Sequence, residues 1–84
     1  MKYNIGDIFI CKQDINNIKG PIFIKHHSYK IEHTIGNQDD YSMFIIFLRG
    51  EQNLVCTYYI HTMINYFYTQ KEFRKIKLYK LENE

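Results

Sequence analysis

The sequence contains no alanine and no tryptophan, and it has a single proline. Alanine is the best intrinsic helix former, so its absence weakens the case for a mainly helical protein. The abundant residues, which include 14 isoleucines, 8 tyrosines and 6 phenylalanines, suit a pleated and half-buried surface. Hydrophobic residues make up 45% of the chain, which is enough for a packed core. We therefore expect a single domain over residues 1–84 that is mainly β, a β-rich α+β protein.

Long apolar runs are also missing from the sequence. No run approaches the roughly 18 residues that a membrane-crossing helix needs, and no apolar stretch follows a basic start as in a secretory signal. Two cysteines, Cys11 and Cys56, are too few for a disulfide scaffold, and neither lies in a C-x-x-C pair. We expect a cytoplasmic protein of a bacterial cell, without a membrane partner, whose thiols are reduced and buried. A disulfide between the two is the alternative.

The sequence also lacks the common catalytic motifs. It has no P-loop and no G-x-G-x-x-G or G-x-S-x-G pattern. The four histidines and two cysteines are not paired at the short spacing of structural zinc ligands, and the adjacent Asp39 and Asp40 fall in a predicted turn. We therefore expect no enzymatic activity, no cofactor and no metal site.

The most frequent residue types are those that A/T-rich codons encode. Besides the isoleucines and tyrosines, the chain has 9 lysines against 2 arginines, and 7 asparagines. We therefore expect the source to be an A/T-rich bacterium or its phage.

Turn signals divide the first two thirds of the chain into four or five short strands. The strands are predicted within Tyr3–Lys12, Ile22–Lys25, Tyr29–Ile35, Tyr41–Arg49 and Leu54–Cys56, and residues 14–20 are predicted to be a loop that ends in a turn at Gly20-Pro21. In Tyr29–Ile35 the alternation predicts one face made of Tyr29, Ile31, His33 and Ile35. Tyr41–Arg49 is expected to be central, with Phe44 and Ile46 in the core, because Met43–Leu48 is apolar throughout. Together these strands predict a small antiparallel barrel.

The period of the apolar residues changes after Thr57, which is a candidate helix cap. Helical spacing relates Tyr59, Ile60, Met63, Ile64 and Phe67. Thr69 and Glu72 fit a capping box, so a second helix is expected to begin near Gln70. Residues 76–81 fit either a continuation of that helix or a closing strand. The sequence thus predicts one or two short C-terminal helices.

The helical segment predicted over residues 70–82 is strongly basic, although the whole chain is nearly balanced at a net charge of +2. Basic side chains interleaved with aromatic rings bind nucleic acid through phosphate contacts and base stacking. The ordinary alternative is that such lysines solubilise the outer face of a helix and favour its dipole. The candidate contacts with a partner or with nucleic acid are Tyr66, Tyr68, Lys71, Arg74, Lys75, Lys77 and Tyr79.

A spaced pattern of aromatic, glycine and apolar residues extends over most of the chain. It runs Tyr3-x-x-Gly6-Asp7-x-Phe9-x-Cys11-x-x-Asp14, then Phe23-x-Lys25-x-x-x-Tyr29-x-Ile31, then a turn, an apolar strand and Ile64-x-x-Phe67. The pattern resembles small uncharacterised phage and prophage proteins with an SH3-like β-barrel. The chain departs from them at His26-His27, where members often carry Gly-Lys.

The resemblance implies an SH3-like barrel and a protein that acts by binding. Small phage accessory proteins commonly block a host or defence protein, as anti-CRISPR proteins do, or join a phage assembly. We therefore expect a non-enzymatic phage or mobile-element protein, monomer or homodimer, that binds and inhibits a bacterial host or defence protein. The alternatives are a nucleic-acid-binding barrel that uses the basic tail and a minor phage structural or assembly component.

Overall fold

The computed structural model describes residues 3–37, 39–40 and 43–82, and for residues 81 and 82 it describes the backbone only. These residues form the strands β1 (Ile8–Cys11), β2 (Ile15–Asn17), β3 (Gly20–Phe23), β4 (Ser28–Ile35), β5 (Ile45–Arg49) and β6 (Val55–Tyr59), the helix α1 (Ile60–Tyr66), the strand β7 (Phe67–Thr69) and the helix α2 (Gln70–Glu82).

The main sheet has five antiparallel strands in the order β6-β5-β4-β1-β7. It is curled into a half-barrel, and α1 connects its two edge strands, β6 and β7, along the chain. A separate hairpin is made of β2 and β3. The prediction of a mainly β protein with two C-terminal helices is confirmed, and β5 is interior as expected because it pairs with both β4 and β6.

The core lies on the concave side of the sheet, and Phe23 of β3 is at its centre. Its side chain is fully buried. The Phe23 ring centroid lies 4.8 Å from Tyr29 of β4, 5.2 Å from Phe67 of β7 and 6.2 Å from Tyr58 of β6. The hairpin therefore fills the open side of the half-barrel, and the two edge strands meet through aromatic rings, with Tyr58 and Phe67 5.7 Å apart.

Strand β5 is shorter than predicted, but the prediction of its core residues is correct. It begins at Ile45, and residues 41 and 42 of the predicted strand lie outside the described residues. Phe44 and Ile46 are both buried, as expected. Met43 is 64% exposed, so the apolar run does not enter the core over its full length.

The predicted single face of β4 is wrong beyond Ile31. The register with β5 shifts between Ile31 and His33, so Ile31 pairs with Leu48 whereas Thr34 pairs with Ile46. An extra residue in one strand reverses the side on which later side chains lie, because the side-chain period in a strand is two. His33 and Ile35 are therefore exposed, while Thr34 is half-buried on the inner side.

Residues 14–20, predicted to be a loop, instead contain the strand β2. The predicted turn at Gly20-Pro21 is the start of β3, which pairs with β2. Proline lacks a backbone N–H and is confined to edge positions of sheets. A two-stranded ribbon consists only of edges, so it accommodates Pro21.

Two expectations for the region after residue 54 are wrong. Thr57 lies inside β6 and does not cap a helix, since α1 begins at Ile60. Phe67 lies in β7, where it pairs with Cys11 of β1. The helical spacing is nevertheless correct for Ile60 and Met63, which are the buried residues of α1.

The capping box at the start of α2 is confirmed. The Thr69 backbone N–H donates to Glu72 Oε1 at 3.0 Å, and the Glu72 N–H donates to Thr69 Oγ1 at 3.2 Å. Helix α2 then continues to Glu82, so residues 76–81 belong to this helix and do not form a closing strand.

Candidate binding surfaces

The seven predicted contact residues lie in different environments. Tyr66 is half-buried and packs against the core, and Tyr68 is half-buried in β7. Helix α2 packs against β7 and β1, with Phe73 and Ile76 half-buried. Its exposed residues include Lys71, Arg74, Lys75, Lys77 and Tyr79. The predicted residues therefore differ in how far they are exposed.

The structure brings two of them, Arg74 and Lys77, into one cleft. The cleft has a volume of about 300 Å³ and lies between α2, β1 and the turn that leads into β4. Its other lining residues are Ile10, His26, Ser28, Gln70 and Phe73. Lys71 lines a different cleft, beside Tyr3 and Asp7.

Two cations flank a pair of aromatic rings on this side of the molecule. Lys12 Nζ lies 4.9 Å from the centre of the Tyr68 ring, which lies 5.8 Å from the Phe73 ring. Lys77 Nζ lies 4.8 Å from the centre of the Phe73 ring. We call these four residues, Lys12, Tyr68, Phe73 and Lys77, the cation–aromatic row. Lys12 Nζ also donates a hydrogen bond of 2.8 Å to the carbonyl of Ile64, which fixes its position.

His26 contacts the cation–aromatic row through Phe73, and its backbone has an unusual conformation. Its φ is +67°, in the left-handed region, and its ring centroid lies 5.2 Å from Phe73. The His26 backbone N–H donates to the Cys11 carbonyl at 2.8 Å, so the turn is tied to the end of β1. A side chain in this region costs about 1–2 kcal/mol relative to right-handed backbone.

Sequence reasoning missed Lys12, His26 and Phe73 as members of this surface. Lys12 approaches Tyr68 because β7 pairs with β1, with Ile10 opposite Tyr68. Strand β7 has only three residues and no alternation long enough to recognise. The available signal was Phe73 directly before Arg74 and Lys75 in the predicted helix.

A second surface lies on the outer side of β4, β5 and β6. Ile35, Ile45 and Tyr59 are successive cross-strand partners, and so are His33, Phe47 and Thr57 in the next row. Ile35 is 49% exposed and Tyr59 is 43% exposed. We call this surface the outer sheet face, and its apolar members are Ile35, Ile45, Phe47, Val55 and Tyr59.

An ion pair borders the outer sheet face. Arg49 Nε and Nη2 donate to the two carboxylate oxygens of Glu32 at 2.7 and 2.8 Å. The hydrogen bonds from Arg49 lower the pKa of Glu32, and the carboxylate raises the pKa of Arg49. Both side chains are exposed, so the pair contributes little to stability but supplies a planar polar edge beside Val55.

Both cysteines are free thiols. Cys11 is fully buried, as predicted, whereas Cys56 is only half-buried. Burial raises the pKa of each thiol, which disfavours the thiolate that a nucleophile needs.

Two inward-facing tyrosines have strongly raised pKa values. The Tyr29 hydroxyl accepts from the Ile24 N–H and donates to Glu51 Oε2, both at 2.8 Å. Burial, with a further contribution from Glu51, raises the pKa of Tyr29 to about 12. Burial likewise raises the pKa of Tyr58 to about 12.

We expect the free energy of unfolding to fall between pH 10 and pH 12. An acid with a raised pKa in the folded state stays protonated there, while the unfolded chain ionises from pH 10 upward. The contribution of each tyrosine to the free energy of unfolding is therefore complete below pH 10. It is lost as the pH rises toward 12, by at most about 1.4 kcal/mol per pH unit for each tyrosine. Urea unfolding at pH 9, 10, 11 and 12 measures this loss. Tyr58→Phe is the control, because it should reduce the slope, and equal stability at pH 9 and 11.5 would contradict the expectation.

Metal binding and membrane crossing each require a particular arrangement of residues. Within residues 3–37, 39–40 and 43–80, no group of three His, Cys, Asp or Glu side chains is placed to hold a metal ion. Neither described helix combines the length and the apolar character needed to cross a membrane.

Comparisons with protein-family models, with curated proteins and with solved structures find no match to this chain. The resemblance to phage proteins therefore stays a prediction, and the functional argument depends on the two surfaces.

Proposed function

We propose that this protein is a non-enzymatic phage or mobile-element protein that binds, and thereby inhibits, a bacterial host or defence protein. The observation that carries the binding role is the outer sheet face. The proposed origin and type of partner are supported by the sequence pattern and by the A/T-rich residue usage. Inhibition by such a protein is stoichiometric and depends on surface shape.

The outer sheet face has the composition of a protein interface. Exposed apolar residues are ordinary when scattered, but contiguous apolar patches mark interaction sites. Here Ile35, Ile45 and Tyr59 lie side by side on three strands, and Phe47 lies in the next row. Tyrosine is enriched among the residues that dominate binding energy. A partner with an apolar surface buries this row, while Arg49 and Glu32 offer hydrogen bonds at its rim.

We also propose that the half-barrel is related to SH3-like barrels. The curled five-stranded antiparallel sheet and the inward hairpin support this relationship. Such barrels host many unrelated roles, so the fold adds nothing about the identity of the partner.

The test compares face variants with a matched variant elsewhere. Ile35→Thr and Tyr59→Thr remove apolar surface but keep strand propensity, and Ile18→Thr is the control because Ile18 is fully exposed in the β2–β3 turn. Immobilised protein is incubated with lysates of A/T-rich bacteria, and a captured partner is purified for calorimetry. Each face variant should weaken its Kd by at least about tenfold, and the control should match wild type.

Three outcomes would contradict the proposal. The first is that no protein is retained above background. The second is that the control and the face variants bind equally. The third is that the wild type has twice the monomer mass in solution while the face variants are monomeric, which would assign the face to self-association. Loss of the partner's own activity at one equivalent of wild-type protein supports inhibition.

A further inference from the structure

We propose that the cation–aromatic row and the adjoining cleft bind the phosphodiester backbone of nucleic acid. Lys12, Arg74 and Lys77 contact phosphates, and the site is separate from the outer sheet face. This activity does not depend on the protein-binding role proposed above.

Within the side chains that the structure describes, the charges in this region have no acidic partners. Among residues 3–37, 39–40 and 43–80, the ion pair within 4.0 Å is the one between Arg49 and Glu32, so Lys12, Arg74 and Lys77 have no carboxylate of these residues at that distance. Unpaired cations on one side of a protein attract a polyanion and give up condensed counterions when it binds. A set of lysines that served only solubility would not need fixed positions.

Two of the three cations, Lys12 and Lys77, are held in place before any ligand arrives. Lys12 Nζ is fixed over the Tyr68 ring and by the Ile64 carbonyl, and Lys77 Nζ is fixed over Phe73. Holding a flexible lysine on a ring removes conformational entropy that binding would otherwise cost. Lys12 still has N–H groups to donate because an ammonium carries three.

The cleft adds further hydrogen-bonding groups to the charges. Arg74 lines it with the hydroxyl of Ser28, the amide of Gln70 and the imidazole of His26. Side chains of these types, together with arginine and lysine, supply most protein contacts to phosphate and sugar. The left-handed backbone of His26 places its ring at this cleft despite the conformational cost.

The arrangement fits a chain of phosphates better than a single one. The cations come from two separate parts of the fold, Lys12 directly after β1 and the other two from α2. Two aromatic rings separate Lys12 from Lys77, in steps of 4.9, 5.8 and 4.8 Å. The ligand is therefore extended, and its recognition is independent of base sequence.

The experiment measures Kd against salt concentration for three labelled probes of 20 units: single-stranded DNA, the same RNA and a DNA duplex. With three phosphate contacts, the slope of log K against log salt should be about −2 to −3. Lys12→Gln should reduce that slope by about 1. Tight binding of any of the three probes supports the proposal. The probe with the lowest Kd identifies which of the three nucleic acids the site prefers.

Charge-matched variants distinguish binding at a defined site from general electrostatic attraction to the whole protein. Lys77→Glu and Lys19→Glu each lower the formal net charge from +2 to 0, but Lys19 lies in the β2–β3 turn near Gln52 and Leu54. Lys77→Glu should weaken binding by about tenfold or more, whereas Lys19→Glu should have less than about a twofold effect. The face variant Tyr59→Thr should bind nucleic acid as wild type does, and circular dichroism checks that every variant is folded.

Three results would overturn the proposal. The first is no binding of any probe at 50 mM salt and 100 μM protein, since even non-specific sites bind at about 10⁻⁴ to 10⁻⁶ M. The second is equal loss in Lys19→Glu and Lys77→Glu with an unchanged slope in Lys12→Gln. The third is equally tight binding of polyglutamate, which would assign the row to an acidic protein.

Discussion

Replacing Phe23 with alanine is expected to leave the protein largely unfolded at 25 °C. Removing a fully buried phenylalanine costs about 3–5 kcal/mol, and a domain of this size rarely has more than about 3–5 kcal/mol to lose. The ring also joins side chains of β4, β6 and β7. Near-UV circular dichroism and urea unfolding of the variant measure the loss.

Two companion variants make the Phe23 expectation specific. Phe23→Leu keeps most of the volume and should remain folded with a lower urea midpoint. Ile18→Ala alters the turn of the same hairpin at a fully exposed position and should unfold like wild type. A native-like midpoint for Phe23→Ala would mean that the hairpin does not fill the half-barrel.

Gly50→Ala should destabilise the protein strongly, although it adds only one methyl group in a turn. A Cβ at this position collides with the Ile22 carbonyl and lies 2.9 Å from Phe23 Cε1. The backbone of β3 must move to relieve this contact, so we expect a loss of about 3 kcal/mol, the upper part of the usual range for overpacking. Thermal unfolding followed by far-UV circular dichroism measures it.

Gly6→Ala is the contrasting control for Gly50→Ala. Gly6 has a φ of +93°, but an added Cβ there meets nothing within 4 Å. Its cost is therefore conformational, about 1 kcal/mol. Gly50 has a φ of −97°, which any residue adopts, so its cost comes from contact alone. If Gly6→Ala is the more damaging of the two, the close approach of the hairpin to the turn after β5 is incorrect.

The sequence predicted those parts of the fold that leave a pattern in a short stretch of residues. The capping box at Thr69 and Glu72 was correct because both hydrogen bonds lie within one helical turn. Strand β4 was found because it is long enough to show an alternation, and the burial of Ile46 followed from an apolar run. The pattern identified β4 and Ile46, although pairing with other strands stabilises them.

The features that the sequence did not predict depend on pairing between strands that are distant in the chain. Strands β2 and β7 have three residues each, too few to show a period of two. The irregular register after Ile31 depends on β5, not on the sequence of β4. The candidate site depended on the same pairing, because Lys12 meets Tyr68 only when β7 lies beside β1. The predicted basic tail thus contained Arg74 and Lys77 but not their partners from β1 and the turn at His26.

The pairing of β7 with β1 also has a consequence for the order of folding. Cys11 lies opposite Phe67, so a strand formed at the start of the chain is joined by one formed near its end. Contacts between distant parts of a chain slow folding, because the intervening loop must close before they are made. A nascent chain that ends before Phe67 lacks both an edge strand and one of the core rings. The native sheet, and with it any binding surface that depends on β7, therefore assembles only after Phe67–Thr69 has been synthesised.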